Sequence, residues 1–389
     1  MVSQGTSDAD LGVYIHVPFC ERVCPYCDFA VVGVGTLAES DEQELVELLL
    51  LEWGRWREAL AGRALASVYF GGGTPSLLRA KSVGRLLEAL AADLSLAPDA
   101  EITVELNPGQ LEVSRVPELR AAGVTRLSVG LQSGEERVLR RLGRAQSAQE
   151  ALRGLEACLG AGFASLSADL IYGAPEQTLE SLERDVERLV ALGVPHVSAY
   201  ALTLEPGTPF ARAAAAGRLP LPDEDTVVAM AALLRAHLGA AGVHRYEISS
   251  YARAGHRARH NQRYWLRRDV LGLGPSAASL LGDRRLSNAR GLGPWRSALR
   301  AGELPAVEDE RLDPAEARRE ALYLGLRQSD GVSRAEYLRR YGGAPEAFAG
   351  PELGRLRARG LVQDDSGFLR LTERGLLFAD EVFLELVGR

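Results

Sequence analysis

Lysine is almost missing from this 389-residue chain: Lys81 is the single one among 45 basic residues. Chemistry through a Schiff-base lysine would rest on that one residue in a helix-like stretch, and is set aside. Long apolar runs are missing as well; no segment reaches the roughly 20 uninterrupted apolar residues of a membrane helix. The opening MVSQGTSDADLG has neither a basic start nor an apolar stretch, so a soluble, cytoplasmic protein is expected. Positive charge is not in excess. A net charge of -7 provides no basic field for a nucleic-acid backbone or an anionic membrane, so no nucleic acid is expected as a partner, and membrane contact only through a target protein. Cysteine is scarce too. Four residues do not make a disulfide framework, and a reducing compartment keeps them available as thiolates for a metal.

What is present is an ordinary globular composition, 46% hydrophobic and 25% charged, in a chain long enough for a large core and a smaller module. From residue 12 to about 205, β-rich runs (GVYIHV, ASVYFGG, EITVEL, RLSVGL, SLSADLIYG, HVSAYAL) alternate with helical stretches at 40–60, 79–93, 111–122, 135–160 and 178–192. Such alternation predicts an α/β fold with a mostly parallel sheet, or a barrel-type closure, with chemistry in the loops after the strands. Beyond 205 come the connector LPLPDED, a helix near 223–241, and β-like pieces around HRYEISSYA and RYWLRRDVLGLG, read as an extension of the sheet. From about 313, helical stretches and the hairpin candidate LVQDDSGFLRLT suggest a small winged-helix-like α+β module with a packing or lid role. The expected divisions are 12–222, 223–305 and 306–389.

Cys20, Cys24 and Cys27, in CERVCPYCDF, have the spacing C-x3-C-x2-C on a loop leaving the first strand. Structural zinc wants four protein ligands, and His16, placed mid-strand, is an awkward fourth. A cubane iron-sulfur cluster has four irons, so three cysteines leave one iron open to an external chelator carrying an amino group and a carboxylate.

Other loops add residues that each have a plain structural reading as well. The glycines of YFGGGTPS permit close backbone approach to a ligand amino group, or simply a tight turn. Glu105 ends a strand in VELNP, where a carboxylate can accept from ribose hydroxyls. Gln132 in SVGLQS offers hydrogen bonds, and Arg144 in LGRAQS can meet a carboxylate in two-pronged fashion. Asp169 in ADLIYGAP is a strand-end acid that can also cap a turn.

The cysteine triplet with Tyr26 directly before its last member resembles the signature of radical S-adenosylmethionine enzymes. In order, YIHVPFCERVCPYCDF, GGGTPS, VELNP, RLSVGLQS, DLIYGAP and YEISSYA resemble the oxygen-independent coproporphyrinogen III oxidase group, over roughly residues 12–290, and the C-terminal module fits. The resemblance implies a partial TIM-type (βα)6 barrel, a 4Fe-4S cluster on Cys20, Cys24 and Cys27, and S-adenosylmethionine in a pocket lined by Tyr14, Gly72, Gly73, Thr74, Glu105, Gln132, Arg144 and Asp169, with Tyr26 beside it.

One departure matters. The oxidases of that group carry a further cysteine two residues after the third, and this chain has Phe29 there. HNQRYW, His260 to Trp265, is similar to the H-N-x-x-Y-W signature of the sister branch, the HemW-type heme chaperones. That branch binds heme and passes it to target proteins such as respiratory enzymes, which makes His260 the candidate heme ligand, with Tyr264 and Trp265 as flat surfaces against a porphyrin. The same stretch also reads as a strand whose aromatics pack inward and whose His and Asn make structural hydrogen bonds. GLGPSA at 272–277 fits G-x-G-x-x-A but lacks the βαβ setting of a dinucleotide site, so a glycine turn near the porphyrin region is expected. Cys158 reads as a buried helix residue. Three functions stand: a heme chaperone, an enzyme decarboxylating coproporphyrinogen III to protoporphyrinogen IX, and a zinc-stabilised binding protein. The first implies a heme-accepting partner and an electron donor of flavodoxin or ferredoxin type.

Overall fold

The computed structural model describes residues 10–387. β1 (Asp10–Val17), β2 (Ala64–Gly72), β3 (Ser95–Leu106), β4 (Arg126–Gln132), β5 (Ser165–Tyr172) and β6 (His196–Ala201) pair in parallel, each with the next. Parallel neighbours need crossovers. These are α1 (Glu39–Leu60), α2 (Ala80–Asp93), the pair α3 (Glu136–Arg141) and α4 (Ala148–Gly160), and α5 (Leu179–Ala191). Between β3 and β4 run two short helices, Gln110–Ser114 and Val116–Ala121, in place of the single one read at 111–122. Pro117, which has no N–H to give, is tolerated there because it falls in the first turn of the second. The stretch 135–160 also divides: Gly143 takes a left-handed φ of 72°, and Ser147 with Glu150 forms the capping box that starts α4.

Strand side chains alternate between two environments. Val68, Phe70, Ile102, Val104, Leu127, Val129, Leu166, Ala168 and Val197 pack beneath the helices, in one core with Leu49, Leu86, Leu155 and Leu189. Each such burial stabilises by about 1.5–3 kcal/mol. The intervening residues are polar and equally buried: Ser67, Thr103, Arg126, Ser128, Ser167, His196 and Ser198. The barrel therefore has an apolar jacket and a hydrogen-bonded lumen.

The sheet continues through α6 (Glu224–Ala240), β7 (His244–Arg245), β8 (Ser250–Ala252), α7 (Arg259–Trp265), β9 (Val270–Leu273), β10 (Ala278–Leu281), β11 (Arg284–Asn288), α8 (Leu292–Arg300) and β12 (Ala306–Arg311). Its order is β12-β11-β10-β9-β1-β2-β3-β4-β5-β6-β8-β7, an open barrel whose end strands lie at opposite ends of the order. α6 packs on α5, and β12 pairs with β11, so the large sheet runs to Arg311. RYW, read as β-like, is helical in α7.

The C-terminal module comprises α9 (Pro314–Leu326), β13 (Val332–Ser333), α10 (Arg334–Tyr341), α11 (Pro345–Ala358), β14 (Val362–Asp365), β15 (Phe368–Leu371), α12 (Glu373–Leu377) and α13 (Ala379–Val387). The expected hairpin is β14–β15, turned by Ser366 and Gly367, both with positive φ, as a tight two-residue loop demands. The module has its own core around Leu326, Leu353, Leu369 and Val382. It docks on the segment after α7: Arg340 donates to the carbonyls of Leu266 and Arg267 at 2.8 and 3.0 Å, and the buried Arg267 pairs with Glu320 at 2.8 Å. Among the described residues no helix is long and apolar enough to cross a membrane.

Candidate functional site

Beyond β1 the chain makes a loop whose base is closed by Phe19–Cys20 pairing with Val32–Gly33. Cys20, Cys24 and Cys27 are free and half-buried on it, while Cys158 is buried in α4, as read. A turn joins the second and third cysteines, Cys27 N donating to Cys24 O at 3.1 Å. The glycine run after β2 packs directly against the loop: Gly73 N reaches Val17 O at 2.8 Å and Thr74 N reaches Phe19 O at 2.7 Å. A Cβ at Gly73 would fall 2.5 Å from Phe19 O and 3.0 Å from the Cys20 sulfur, so this glycine is required by proximity. Tyr26 packs against Phe210 with ring centroids 6.1 Å apart.

Burial pushes the Cys20 thiol up to about 11 and raises Cys27 also, so thiolate ligation here exchanges protons for metal. His16 is near the end of β1 with its ring toward the loop, closer than a mid-strand place suggested, yet both nitrogens are engaged. Nε2 donates to Ala30 O at 3.1 Å, which leaves Nδ1 to accept from Tyr14 Oη at 3.1 Å. Among the described residues, no group of three or more His, Cys, Asp or Glu, the three cysteines included, is gathered closely enough to hold a metal ion. The three cysteines of one loop are a donor set that suits a cluster with one open iron.

Of the other expected residues, Gly72, Gly73, Thr74, Glu105 and Gln132 stand at or next to the carboxyl ends of β2 to β4, Arg144 lies between α3 and α4, and Tyr14 and Asp169 lie within β1 and β5. Arg144 lies with Nη1 3.9 Å from the Cys24 sulfur and donates to Gly130 O at 3.0 Å and to Asn107. Asn107 in turn donates to Thr74 Oγ1 at 3.1 Å. Glu105 accepts from Tyr69 Oη at 2.7 Å and from Gly72 N at 3.2 Å; burial pushes its carboxyl up to about 7 against those donors. Asp169, raised by burial, accepts from Ser128 and Ser167, both at 2.9 Å. Gln132 has a φ of 65°, unusual for a residue with a side chain and a mark of local strain at a strand end. Tyr14, His16, Phe29, Gly72 and Ser276 line a cavity of about 280 Å³ at this rim. GLGPSA reaches it through Ser276: Gly274, at φ 102°, presses on the His16 backbone and donates to the buried Glu52 at 2.8 Å.

His260 lies elsewhere. α7 plugs the opposite mouth of the barrel, where Arg263 bonds Asp10 Oδ1 at 3.0 Å and the amides of Arg259 and His260 donate to Glu101 at 3.0 and 2.9 Å. Positions 260, 263 and 264 share one helical face. The imidazole is 1% exposed, with Nδ1 2.9 Å from Ser67 Oγ and Nε2 3.0 Å from Tyr264 Oη, and burial pushes its pKa down to about 3. It is thus a neutral ring with both nitrogens engaged. Arg327 lies over the Trp265 ring at 4.2 Å. Sequence reasoning missed Tyr69 and Asn107, although Asn107 stood inside the VELNP motif and Tyr69 inside VYFGG. It also gave His196 no role; its ring links Ser167 at 2.8 Å to Tyr246 at 2.9 Å within the lumen.

Residues 14–189 match the Radical SAM superfamily, and residues 312–378 the HemN C-terminal domain. The heme chaperone HemW of Bacillus subtilis is 31% identical over 96% of this chain and 98% of its own length. Its counterparts of Mycobacterium tuberculosis and Escherichia coli are 37% and 35% identical, each over 97% of this chain and over 95% and 97% of their own lengths. Coproporphyrinogen III oxidase (HemN) from Escherichia coli, a radical SAM enzyme, shares the fold with a TM-score of 0.84 over 97% of this chain and 90% of its own, at 24% identity.

Proposed function

The chain belongs to the HemW family of the radical SAM superfamily, which implies a 4Fe-4S cluster and S-adenosylmethionine, and from that premise we propose that it binds heme and delivers it to heme-accepting proteins, respiratory enzymes among them. The observation that carries this reading is identity of 31–37% along nearly the whole length of three heme chaperones.

Cys20, Cys24 and Cys27 would hold the cluster, which when bound supplies a low-potential electron. Around it, the chain's own groups bind and orient the nucleotide. Arg144 offers its guanidinium to the methionine carboxylate, and the backbone of Gly72, Gly73 and Thr74 meets the amino group. Glu105 accepts from ribose hydroxyls, while Tyr14, Tyr26, Gln132 and Asp169 complete the lining. A flavodoxin or ferredoxin-type protein serves as electron donor, and contact with a membrane arises only through a membrane-bound target.

For heme, His260 is the proposed iron ligand. Both of its nitrogens are engaged, by Ser67 and Tyr264, so the buried ring as it stands offers no open donor to an iron. Decarboxylation of coproporphyrinogen III is the second reading, favoured by the shared fold; Phe29, in place of a thiol, weighs against it. The test is transfer: heme-loaded protein mixed with an apo-hemoprotein should pass its heme within minutes, read from the shift of the Soret band. Retention of heme together with protoporphyrinogen IX formation by the reconstituted protein would replace the chaperone reading with the enzymatic one.

A further inference from the structure

We propose that the barrel lumen binds a carboxylate-bearing organic ligand through Arg126 and Thr103, deeper in the barrel than the rim where the nucleotide is placed. The site draws on neither the cysteine loop nor His260 and goes beyond the function proposed above.

Four of the described arginines are buried, and three of them meet a carboxylate: Arg263 with Asp10 at 3.0 Å, Arg267 with Glu320 at 2.8 Å and Arg268 with Glu336 at 2.8 Å. Arg126 is the exception. It is 3% exposed, it has no hydrogen bond or ion pair among the described residues, and its Nε is fully buried without a partner. A guanidinium stays charged at any pH at which the protein is folded, so a dry, unpaired one is strongly unfavourable unless something else supplies the counter-charge. Thr103 repeats the pattern. It stands beside Arg126 in the register of β3 and β4, has no exposed surface, and its hydroxyl is unpartnered. Both face the lumen, because their neighbours Ile102, Val104 and Leu127 lie in the apolar core on the other face of the strands. Two adjoining polar groups left without partners on one wall mark a place for a ligand's own polar atoms.

The lumen's own carboxylates do not fill this role. Glu105 and Asp169 feel the charge of Arg126, but neither forms an ion pair with it. Each is taken by other donors, Glu105 by Tyr69 and Gly72, Asp169 by Ser128 and Ser167. Space is open beside them. Tyr200, on the lumen face of β6 two residues past the buried Ser198, feels the charges of Asp169 and Glu105 and is still 45% exposed. Glu105 and Asp169 are themselves half-buried. The barrel is thus hollow toward its rim and narrows on Arg126, with α7 closing the far mouth.

The charges select the ligand. One fixed positive charge between two acids balances a single negative charge, whereas a phosphate dianion would be repelled by Glu105 and Asp169. A planar carboxylate also matches the fork of a guanidinium, with the Thr103 hydroxyl free to donate to the same oxygens.

The experiment uses the full chain with sodium propionate as the probe, propionamide as its uncharged counterpart and sodium chloride as the ionic control, each followed by thermal unfolding. No cluster, nucleotide or heme is needed, so the result stands apart from the fate of the proposed function. Saturating propionate should raise the melting temperature by at least about 2 °C, with no comparable effect of propionamide or chloride. In Arg126→Met the propionate shift should vanish, while the unliganded variant should melt higher than wild type, because an unpaired buried charge has been replaced by a neutral side chain of similar length. An arginine that only holds up the lumen would give the opposite sign. Thr103→Val, which keeps the shape and removes the hydroxyl, should weaken propionate about fivefold without loss of folding. Equal effects of the three additives on wild type, a propionate shift that survives in Arg126→Met, or a lower melting temperature of that variant without ligand overturns the proposal.

Discussion

Arg263 occupies the space that a side chain on Gly12 would need: a Cβ there would fall 2.8 Å from Arg263 Cδ and 3.1 Å from Ser67 Oγ. The guanidinium cannot easily yield, because it is buried and bonded to Asp10 O, Asp10 Oδ1 and Asp269 O. Gly12→Ala should therefore cost about 1–3 kcal/mol through overpacking at the seat of α7. The measurement is urea unfolding, where a lower midpoint at unchanged slope is the expected result.

The cysteines should divide sharply by role. Cys24→Ala should lose the brown absorbance, near roughly 400 nm, that anaerobic iron and sulfide reconstitution generates. Cys158→Ala should keep it in full, since that thiol is buried in α4 away from the loop. Equal iron content in both variants would reject the assignment.

Glu52 makes stability depend on pH. Burial pushes its carboxyl up to about 7 although Gly274 N, Asn288 Nδ2 and Trp295 Nε1 all donate to it. A folded-state pKa above the ordinary value of 4.5 means that the native state holds the proton more tightly than the unfolded chain. This contribution is full below about 4.5 and is lost as pH rises through about 7. Glu52→Gln, which cannot ionise, should flatten the fall in stability across that window, as followed by thermal unfolding at a series of pH values.

Arg267 and Glu320 hold the C-terminal module to the segment behind α7, with side-chain exposures of only 4% and 9%. Glu320→Ala leaves the buried Arg267 with Asp283, at 3.1 Å, as its remaining carboxylate partner and should destabilise by about 1–3 kcal/mol. Limited proteolysis checks it: cleavage should appear first in the linker near residues 312–313, before the barrel is cut.

Much of this was legible because the strands carry period-two patterns and the loops carry their chemistry in short motifs. The six parallel strands lie where their patterns put them, and Glu105 stands next to the last residue of β3, whereas Asp169, read as a strand-end acid, is inside β5 and Arg144 lies between α3 and α4. The polar lumen was harder to read. Ser67, Ser167 and His196 are isolated polar positions within strands, and only the closing curvature of the sheet turns their shared face inward. HNQRYW illustrates the same limit: so short a stretch cannot separate helix from strand by period. Its place at the far mouth depends on Asp10 and Glu101, both distant in sequence.

Heme ligation by His260 is tested most directly by a spectroscopic hemin titration of the anaerobically reconstituted protein and of His260→Ala. The expected result is saturable binding of one hemin per chain with a defined Soret band, weakened at least about tenfold in the variant, the loss of roughly 1.4 kcal/mol. Absence of saturable binding, or identical titrations for the two proteins, would contradict it.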